Sequence, residues 1–311
     1  MLEYNHFINK IEDFKDFFTA AYTIIDDVYK KVIPTNIQNR RNKSRSKLSD
    51  SEIITVSLVG ELHTIDSETA WYNYCKKNFK DLFPNLCDRT RFNRVRRGLH
   101  AVINEIRNQI GKLTGLTAQR YRIIDSIPIP VCKFGRARFH KTFRGQGAAF
   151  GKCPSKKETY LGYKLHLVVT LEGLVTDYVL TPANIDDREA IWELSDKFSL
   201  YTFLGDKGYN GAEYAISLVK QRGITMLSLK KDNDKSQYSK QLRQLIFKQR
   251  RRVETSASQL TEQLNIETVN SKSLLGLISR INTKVLAFNL CFYINKLLGN
   301  IHLSKIKSLI F

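Results

Sequence analysis

The sequence has little proline, little cysteine and no long uninterrupted hydrophobic run. Six prolines among 311 residues, with 42% hydrophobic and 26% charged residues, exclude a low-complexity or fibrous chain and predict a soluble globular protein of one or two domains. The five cysteines are odd in number, scattered, and form no C-x-x-C pair, which argues against a disulfide framework or a zinc ribbon. We therefore predict free, buried thiols.

The first residues also lack the pattern of a targeting sequence. Residues 1–18 mix acidic and aromatic side chains instead of a basic stretch followed by an apolar run, so neither a signal peptide nor a transit peptide is predicted. The most apolar stretch, 274–298, is interrupted by Arg280, Lys284 and several amides, which favours a buried or amphipathic helix over a membrane span. Both features predict a cytosolic protein.

Acidic residues are scarce relative to basic ones. Fifty Lys and Arg against thirty Asp and Glu give a net charge of +20 and an isoelectric point near 9.7. Such an excess favours a polyanionic partner, and nucleic acid more than an anionic membrane surface.

Residues 1–118 show helical periodicity without strand-like alternation, which predicts an all-α domain. Ser49 opens an S-x-x-E capping box and predicts a helix beginning there; further helices are predicted over 68–79 and 89–112. The last of these starts with closely spaced arginines, which fit either a helix-turn-helix recognition helix or a basic helix that packs near DNA without reading bases. The candidate DNA contacts in this domain are Arg89, Arg91, Arg94 and Arg97.

From Tyr121 onward, short β-rich runs alternate with helices, which predicts an α/β domain over 119–311. The expected order is three strands, helix, strand, helix, strand and helix, with a hairpin around Glu172 and Gly173. This is the RNase H-like order, and we expect a mixed five-stranded sheet with flanking helices over 187–198, 212–222 and 238–265. Asp186 and Asp187 are interpreted as cap residues of the first of these helices.

Three carboxylates stand at informative places in this domain. Asp125 lies within an apolar β-run, where an ionised group is costly unless it is paired or metal-bound; a solvent-facing edge-strand Asp is the alternative. Asp206 ends a strand, where α/β folds place their sites, although a local turn role is equally compatible. Glu254 lies on the last helix, where a surface pair with Arg250 is the alternative. Together the three acids can converge at one end of the sheet and hold two divalent metal ions, for which oxygen ligands favour Mg²⁺ or Mn²⁺.

Four segments resemble the DDE transposases of bacterial insertion sequences: IIDSIPIPVC, YLGYKLHLVV with its continuation LTPANIDDRE, LGDKGYNG, and RRRVETSASQLTEQLNIE. The chain is most similar to the IS nine-eighty-two family, over nearly its whole length. The resemblance implies that Asp125, Asp206 and Glu254 form the catalytic, metal-binding triad. A Tyr, Arg, Glu, Lys signature often surrounds the glutamate in the wider group; here the positions hold Phe247, Arg250, Glu254 and Thr261, so two of four match.

The implied activity is metal-dependent DNA cleavage and strand transfer at insertion-sequence ends. The implied partners are the terminal inverted repeats and the target DNA in the bacterial cytosol, with a homodimer forming when two ends are synapsed. Two other classes remain open: a metal-dependent nuclease or resolvase that never joins strands, and a non-catalytic DNA-binding protein derived from a transposase.

Basic residues near the acids are the expected backbone contacts. The stretch from 133 to 164 holds nine Lys or Arg and a single acid, Glu158, and three consecutive arginines precede Glu254 by one helical turn or less. Side chains of this kind bind phosphates with little sequence readout and strong salt dependence. Tyr209 is expected to pack beside its turn and His166 to be a core histidine. The candidate DNA contacts in this domain are Arg138, Lys156, Lys157, Lys164, Lys207, Arg250 and Arg251.

Overall fold

The computed structural model of the chain describes residues 11–63, 65, 67–195, 198–230, 234 and 236–309. These residues form two compact units. The helical unit combines the described residues up to Thr114 with those from Glu262 onward, and the sheet unit spans Gly115–Thr261.

The helical unit is built from seven α-helices among its described residues. Ser49 caps the third helix as its sequence predicts: Ser49 Oγ accepts the backbone N–H of Glu52 at 3.1 Å, and Glu52 Oε2 accepts that of Ser49 at 2.5 Å. The helices are α1 (Phe14–Val32), α2 (Thr35–Gln38), α3 (Asp50–Leu62), α4 (Glu68–Asn78), α5 (Arg89–Gly98), α6 (His100–Thr114) and α11 (Leu274–Leu297).

Helix α11 is the core of the helical unit. By length and composition this helix could cross a membrane. However, 78% of its most apolar 18-residue segment is buried inside the protein, where α11 packs against α3 and α6. Two of its charged residues are buried as ion pairs: Arg280 Nη2 and Lys284 Nζ lie 2.7 and 2.5 Å from Glu61 Oε2 on α3. The buried helix predicted from the sequence is thus present.

The sheet unit holds a mixed sheet. Strand β1 is central, antiparallel to β3 and parallel to β5, which is in turn parallel to β6; β2 and β4 pair with successive parts of β3. The mixed sheet with flanking helices fits an RNase H-like fold. Its elements are β1 (Tyr121–Lys133), α7 (Phe134–Ala137), β2 (Ala149–Cys153), β3 (Glu158–Val169), β4 (Val175–Pro182), α8 (Asp187–Ser195), β5 (Thr202–Gly205), α9 (Ala212–Arg222), β6 (Thr225–Ser228) and α10 (Lys240–Glu262).

Three details differ from the sequence-based expectations. The sheet has six strands rather than five, because the short edge strand β2 lies in the stretch expected to be a loop, and its Gly and Lys residues hide the alternation of a strand. The helix predicted over 89–112 is broken after Gly98 into α5 and α6. The residues from Glu262 onward, predicted to belong with the sheet, group with the N-terminal helices, because α11 is buried among them on nearly all sides, charged residues included. All five cysteines are free, and four of them are buried.

Candidate active site

The register of two parallel strands explains why Asp125 and Asp206 meet. Strands β1 and β5 pair Ile123 with Leu204, and each aspartate follows its strand's paired residue by two positions. Residues at equal offsets along paired parallel strands lie side by side and point to the same face. The two carboxylates therefore lie at the same level, Asp125 within β1 and Asp206 directly after the end of β5.

Asp125 is held in a partly buried, electrostatically strained position. Its Oδ1 accepts the backbone N–H of Ser126 at 2.9 Å, and the neighbouring isoleucines of β1 are buried. Burial raises the pKa of Asp125 to about 6, and repulsion from Asp206 and Glu254 adds to the rise, whereas the Ser126 N–H and the Arg250 guanidinium oppose it. Asp206 and Glu254 are thus close enough to Asp125 to repel its carboxylate.

Asp206 begins a tight turn at the end of β5. Its Oδ1 accepts the backbone N–H of Gly208 at 2.8 Å, which fixes the carboxylate over the turn 207–209. A Cβ on Gly208 would lie 3.0 Å from Asp206 Oδ1 and 3.5 Å from Asp187 Oδ2. The missing side chain therefore leaves room for two carboxylates to face the same small space.

Glu254 lies on α10, which is anchored to the sheet by neighbouring residues. Val253 is fully buried, and Ser256 Oγ donates to the carbonyl oxygen of Gly173 in the β3–β4 turn at 2.8 Å. The Glu254 side chain is 55% exposed, and its Oε1 lies 3.9 Å from Nη2 of Arg250, whose own side chain is only 12% exposed. Glu254 therefore lies within ion-pair distance of Arg250 and close enough to Asp125 to raise the pKa of Asp125.

Asp187 is a further carboxylate, close to Asp206, that sequence reasoning assigned to helix capping. Asp186 does the capping, since its Oδ1 accepts the backbone N–H of Arg188 at 2.9 Å. Asp187 Oδ1 instead lies 2.6 Å from Lys164 Nζ on β3, and its Oδ2 faces the space beside Gly208. In the sequence, the only indication that Asp187 lies near Asp206 was its position at the start of the helix that follows β4.

Two buried polar side chains surround Asp187. His166 is fully buried, its Nε2 lies 3.0 Å from Thr181 Oγ1, and burial lowers its pKa to about 4, so it is neutral at pH 7. The register pairs His166 with Ser126, which places it on the opposite face of the sheet from Asp125.

Tyr209 is 1% exposed, and its hydroxyl has no hydrogen-bond partner among the described residues. Burial raises the pKa of Tyr209, and repulsion from Asp187, Asp125 and Asp206 adds to this rise, so the hydroxyl stays protonated.

The predicted DNA contacts differ in how accessible they are. Lys164 is 19% exposed and paired with Asp187, which removes it from the freely available cations. On α5, Arg96 is buried against Glu68, which leaves the predicted contacts on the outer part of that helix. Arg91 and Arg250 are half-buried, and the exposed candidates are Arg89, Arg94, Arg97, Arg138, Lys156, Lys157, Lys207 and Arg251.

The donor set suits a hard divalent cation although no ready-made metal cluster is present. In the described part of the chain, no three His, Cys, Asp or Glu side chains are grouped tightly enough to hold a metal ion. The acids near Asp125 nevertheless offer only carboxylate oxygens, which are the ligands that Mg²⁺ and Mn²⁺ prefer. Burial of Asp125, together with repulsion from Asp206 and Glu254, raises its pKa, and a bound cation would offset both effects.

We expect Asp125→Asn to raise the melting temperature of the metal-free protein above pH 6. Because the folded state has the higher pKa, it binds the proton more tightly than the unfolded state, and stability falls as pH rises from about 3.8 to about 6. Thermal melts in EDTA at pH 8 and pH 4 test this: the gain from the substitution should be largest at pH 8 and small at pH 4. A variant that melts below the wild type at pH 8 would contradict it.

Comparison with known proteins gives one informative match. A family model described as Transposase DDE domain matches residues 110–274, more than half of the chain. The matched segment contains Asp125, Asp187, Asp206 and Glu254. No curated protein and no solved structure matches the chain.

Proposed function

The chain belongs to the transposase DDE domain family, and we propose that it is an insertion-sequence transposase that cleaves and joins DNA strands with Asp125, Asp206 and Glu254. The family implies transposition, a nuclease or transferase type of enzyme and DNA as the partner. We further place the chain in the IS nine-eighty-two family, on the four segments quoted above, and in the bacterial cytosol.

One observation carries the assignment of the triad. The β1–β5 register sets Asp125 and Asp206 side by side, and Glu254 is near enough to raise the pKa of Asp125. An isolated surface acid would show no such repulsion. A buried strand aspartate that two neighbouring carboxylates repel is typical of a cation-dependent phosphoryl-transfer site.

DDE transposase domains generally use divalent metal ions, and we propose that the three acids hold two Mg²⁺ or Mn²⁺ ions. Bound there, such ions would activate an attacking oxygen and stabilise the leaving oxygen of an in-line displacement at phosphorus. The carboxylate oxygens of the triad would be the protein ligands. Asp206 is fixed for this by the Gly208 N–H, and Asp125 by the Ser126 N–H.

Arg250 is the side chain best placed to hold the reacting phosphate. Its guanidinium lies near Asp125 and Glu254, it is mostly shielded from solvent, and its Nε has no partner among the described atoms. An arginine fork matches phosphate geometry, and shielding from water strengthens the contact. We propose that Arg250 turns from Glu254 to the scissile phosphate when DNA binds.

DNA binding is proposed to be divided between the two units. The exposed arginines of α5 would contact the terminal repeats, with Arg94 and Arg97 one turn apart on one side of the helix. The exposed Lys156 and Lys157 would hold the phosphate backbone without reading sequence. A homodimer would bring two ends together.

A strand-transfer assay tests this function against the two alternatives. The terminal repeats, read from the DNA beside the gene, are supplied as a pre-cleaved end with a free 3′-hydroxyl, together with a plasmid target. We expect joined products in Mg²⁺ or Mn²⁺, none in EDTA, and inhibition by Ca²⁺, whose looser coordination fits the displacement poorly.

Each alternative predicts a different product pattern. Cleavage of uncut ends without joining would identify a nuclease or resolvase. Specific binding with neither reaction, in the presence of either metal ion, would identify a DNA-binding derivative. Equal rates of cleavage and joining in EDTA and in Mg²⁺ would contradict the proposal that the site uses divalent metal ions.

A further inference from the structure

A cationic pocket lies close to Asp206 within the sheet unit. Its volume is about 750 Å³, and the side chains that line it include Lys207, Lys230, Lys240, Arg243 and Phe247. Lys207 directly follows Asp206, so the pocket adjoins the carboxyl end of β5. We call it the cationic pocket; no acidic side chain lines it in the described part of the chain.

Two of its cations are available to a ligand. Lys240 and Arg243, both exposed on the first turns of α10, have no ion-pair partner among the described residues. Lys230 is committed to the protein: its Nζ donates to Ser236 Oγ at 2.8 Å and lies 4.7 Å from the centre of the Tyr238 ring. The pocket therefore offers an anion one lysine that the protein holds in place, Lys230, and two exposed cationic side chains, Lys240 and Arg243.

Phe247 gives the pocket an aromatic wall. The ring is 53% exposed, although a large apolar side chain on a helix normally faces the core. The Arg251 guanidinium lies 5.2 Å from its centre, so a cation is already bound to the ring from within α10. An exposed ring supported in this way beside unpaired cations is typical of sites where nucleic-acid bases stack.

We propose that the cationic pocket binds an unpaired segment of a DNA strand, with one base stacked on Phe247 and the adjoining phosphates held by Lys240 and Arg243. A paired duplex cannot satisfy Phe247, because the faces of its bases are covered by their neighbours, whereas an unpaired base presents a free face. The volume is that of a small-molecule site, which suits one or two nucleotides. The proposal rests on the proposed function for the identity of the strand, which would be one released at the cleaved end.

Binding of a labelled oligothymidylate to the full-length protein tests the pocket without knowledge of the terminal repeats. Affinity is measured by fluorescence anisotropy for the single strand and for a blunt duplex of equal length, at two salt concentrations. We expect Phe247→Ala to weaken single-strand binding about tenfold and duplex binding by less than about twofold. Lys240→Gln and Arg243→Gln should each reduce the salt slope for the single strand by about one.

The helix supplies matched controls. Leu245 is also 53% exposed on α10 but does not line the pocket, so Leu245→Ala should leave single-strand affinity within about twofold of the wild type. Lys248→Gln is the matching charge control. Phe247→Trp should keep the affinity, and Phe247→Leu, which preserves apolar bulk, should lose it if the aromatic face matters.

The outcomes separate this inference from the proposed function. Unchanged affinity in Phe247→Ala and Phe247→Leu, an equal loss in Leu245→Ala, or an equal loss for duplex and single strand would each overturn the pocket assignment. Failure of the wild-type protein to cleave or join terminal DNA, with the single-strand pattern intact, would overturn the proposed function but leave the pocket in place.

Discussion

Replacing Asp125 by Asn is expected to reduce DNA cleavage by about a thousandfold or more while leaving DNA affinity nearly unchanged. The amide keeps the shape of the side chain and its place in β1 but removes the negative charge that would hold a cation between Asp125, Asp206 and Glu254. The phosphate contacts come from basic residues and are untouched. Single-turnover cleavage of terminal DNA and anisotropy titration of the same duplex give the two quantities.

Asp206→Asn and Glu254→Gln should behave in the same way, because each removes one member of the same set. Glu213→Gln, an exposed acid in the first turn of α9, is the matched control and should cleave at the wild-type rate. Cleavage above about a tenth of the wild-type rate in one of the three variants would remove that residue from the triad.

Asp125→Asn, which is expected to reduce cleavage in the presence of metal ions, is also expected to stabilise the metal-free protein. Burial and the neighbouring acids raise the pKa of Asp125, so the ionised carboxylate costs stability at neutral pH. A bound cation would offset this cost. Stability and activity therefore move in opposite directions at this position, as expected for a functional rather than a structural acid.

The sequence predicts those parts of the fold that depend on local chemistry. The Ser49 capping box gives the start of α3, and the bounds of α9 match those predicted, 212–222. Asp125 and Asp206 were identifiable because a charged residue stood in or at the end of an apolar strand. In each case the neighbouring residues in the chain were sufficient.

The features that were missed depend on pairing between distant segments. The position of Asp187 is set by Lys164 on β3, and an Asp at a helix start has an ordinary local explanation that conceals the pairing. Strand β2 exists because β3 offers it an edge, and its own five residues carry a weak pattern. The placement of α11 with the N-terminal helices depends on Glu61, a residue more than two hundred positions earlier.

Glu61 holds two buried cations in the helical unit. Its side chain is 4% exposed, with those of Arg280 at 7% and Lys284 at 3%. Burial alone would raise the pKa of Glu61, but Lys284 and Arg280 outweigh burial and lower the pKa to about 2. Because the folded state has the lower pKa, this stabilisation is complete above about pH 4.5 and is lost as the pH falls towards 2.

Replacing Glu61 by Ala is therefore expected to lower the free energy of unfolding by about 3–5 kcal/mol, since it removes the carboxylate that pairs with the buried Arg280 and Lys284. Urea denaturation at pH 7 measures the loss. Asp81→Ala is the matched control: Asp81 pairs with Lys15 at 2.6 Å in the same unit, but both side chains are at least half exposed, so its loss should be small beside that of Glu61→Ala. A triple variant Glu61→Leu, Arg280→Met, Lys284→Met should recover most of the stability, because apolar side chains of similar volume replace the whole buried ion-pair cluster. Equal losses of stability in the Glu61 and Asp81 variants would show that the buried cluster of Glu61, Arg280 and Lys284 stabilises the fold no more than a surface ion pair does.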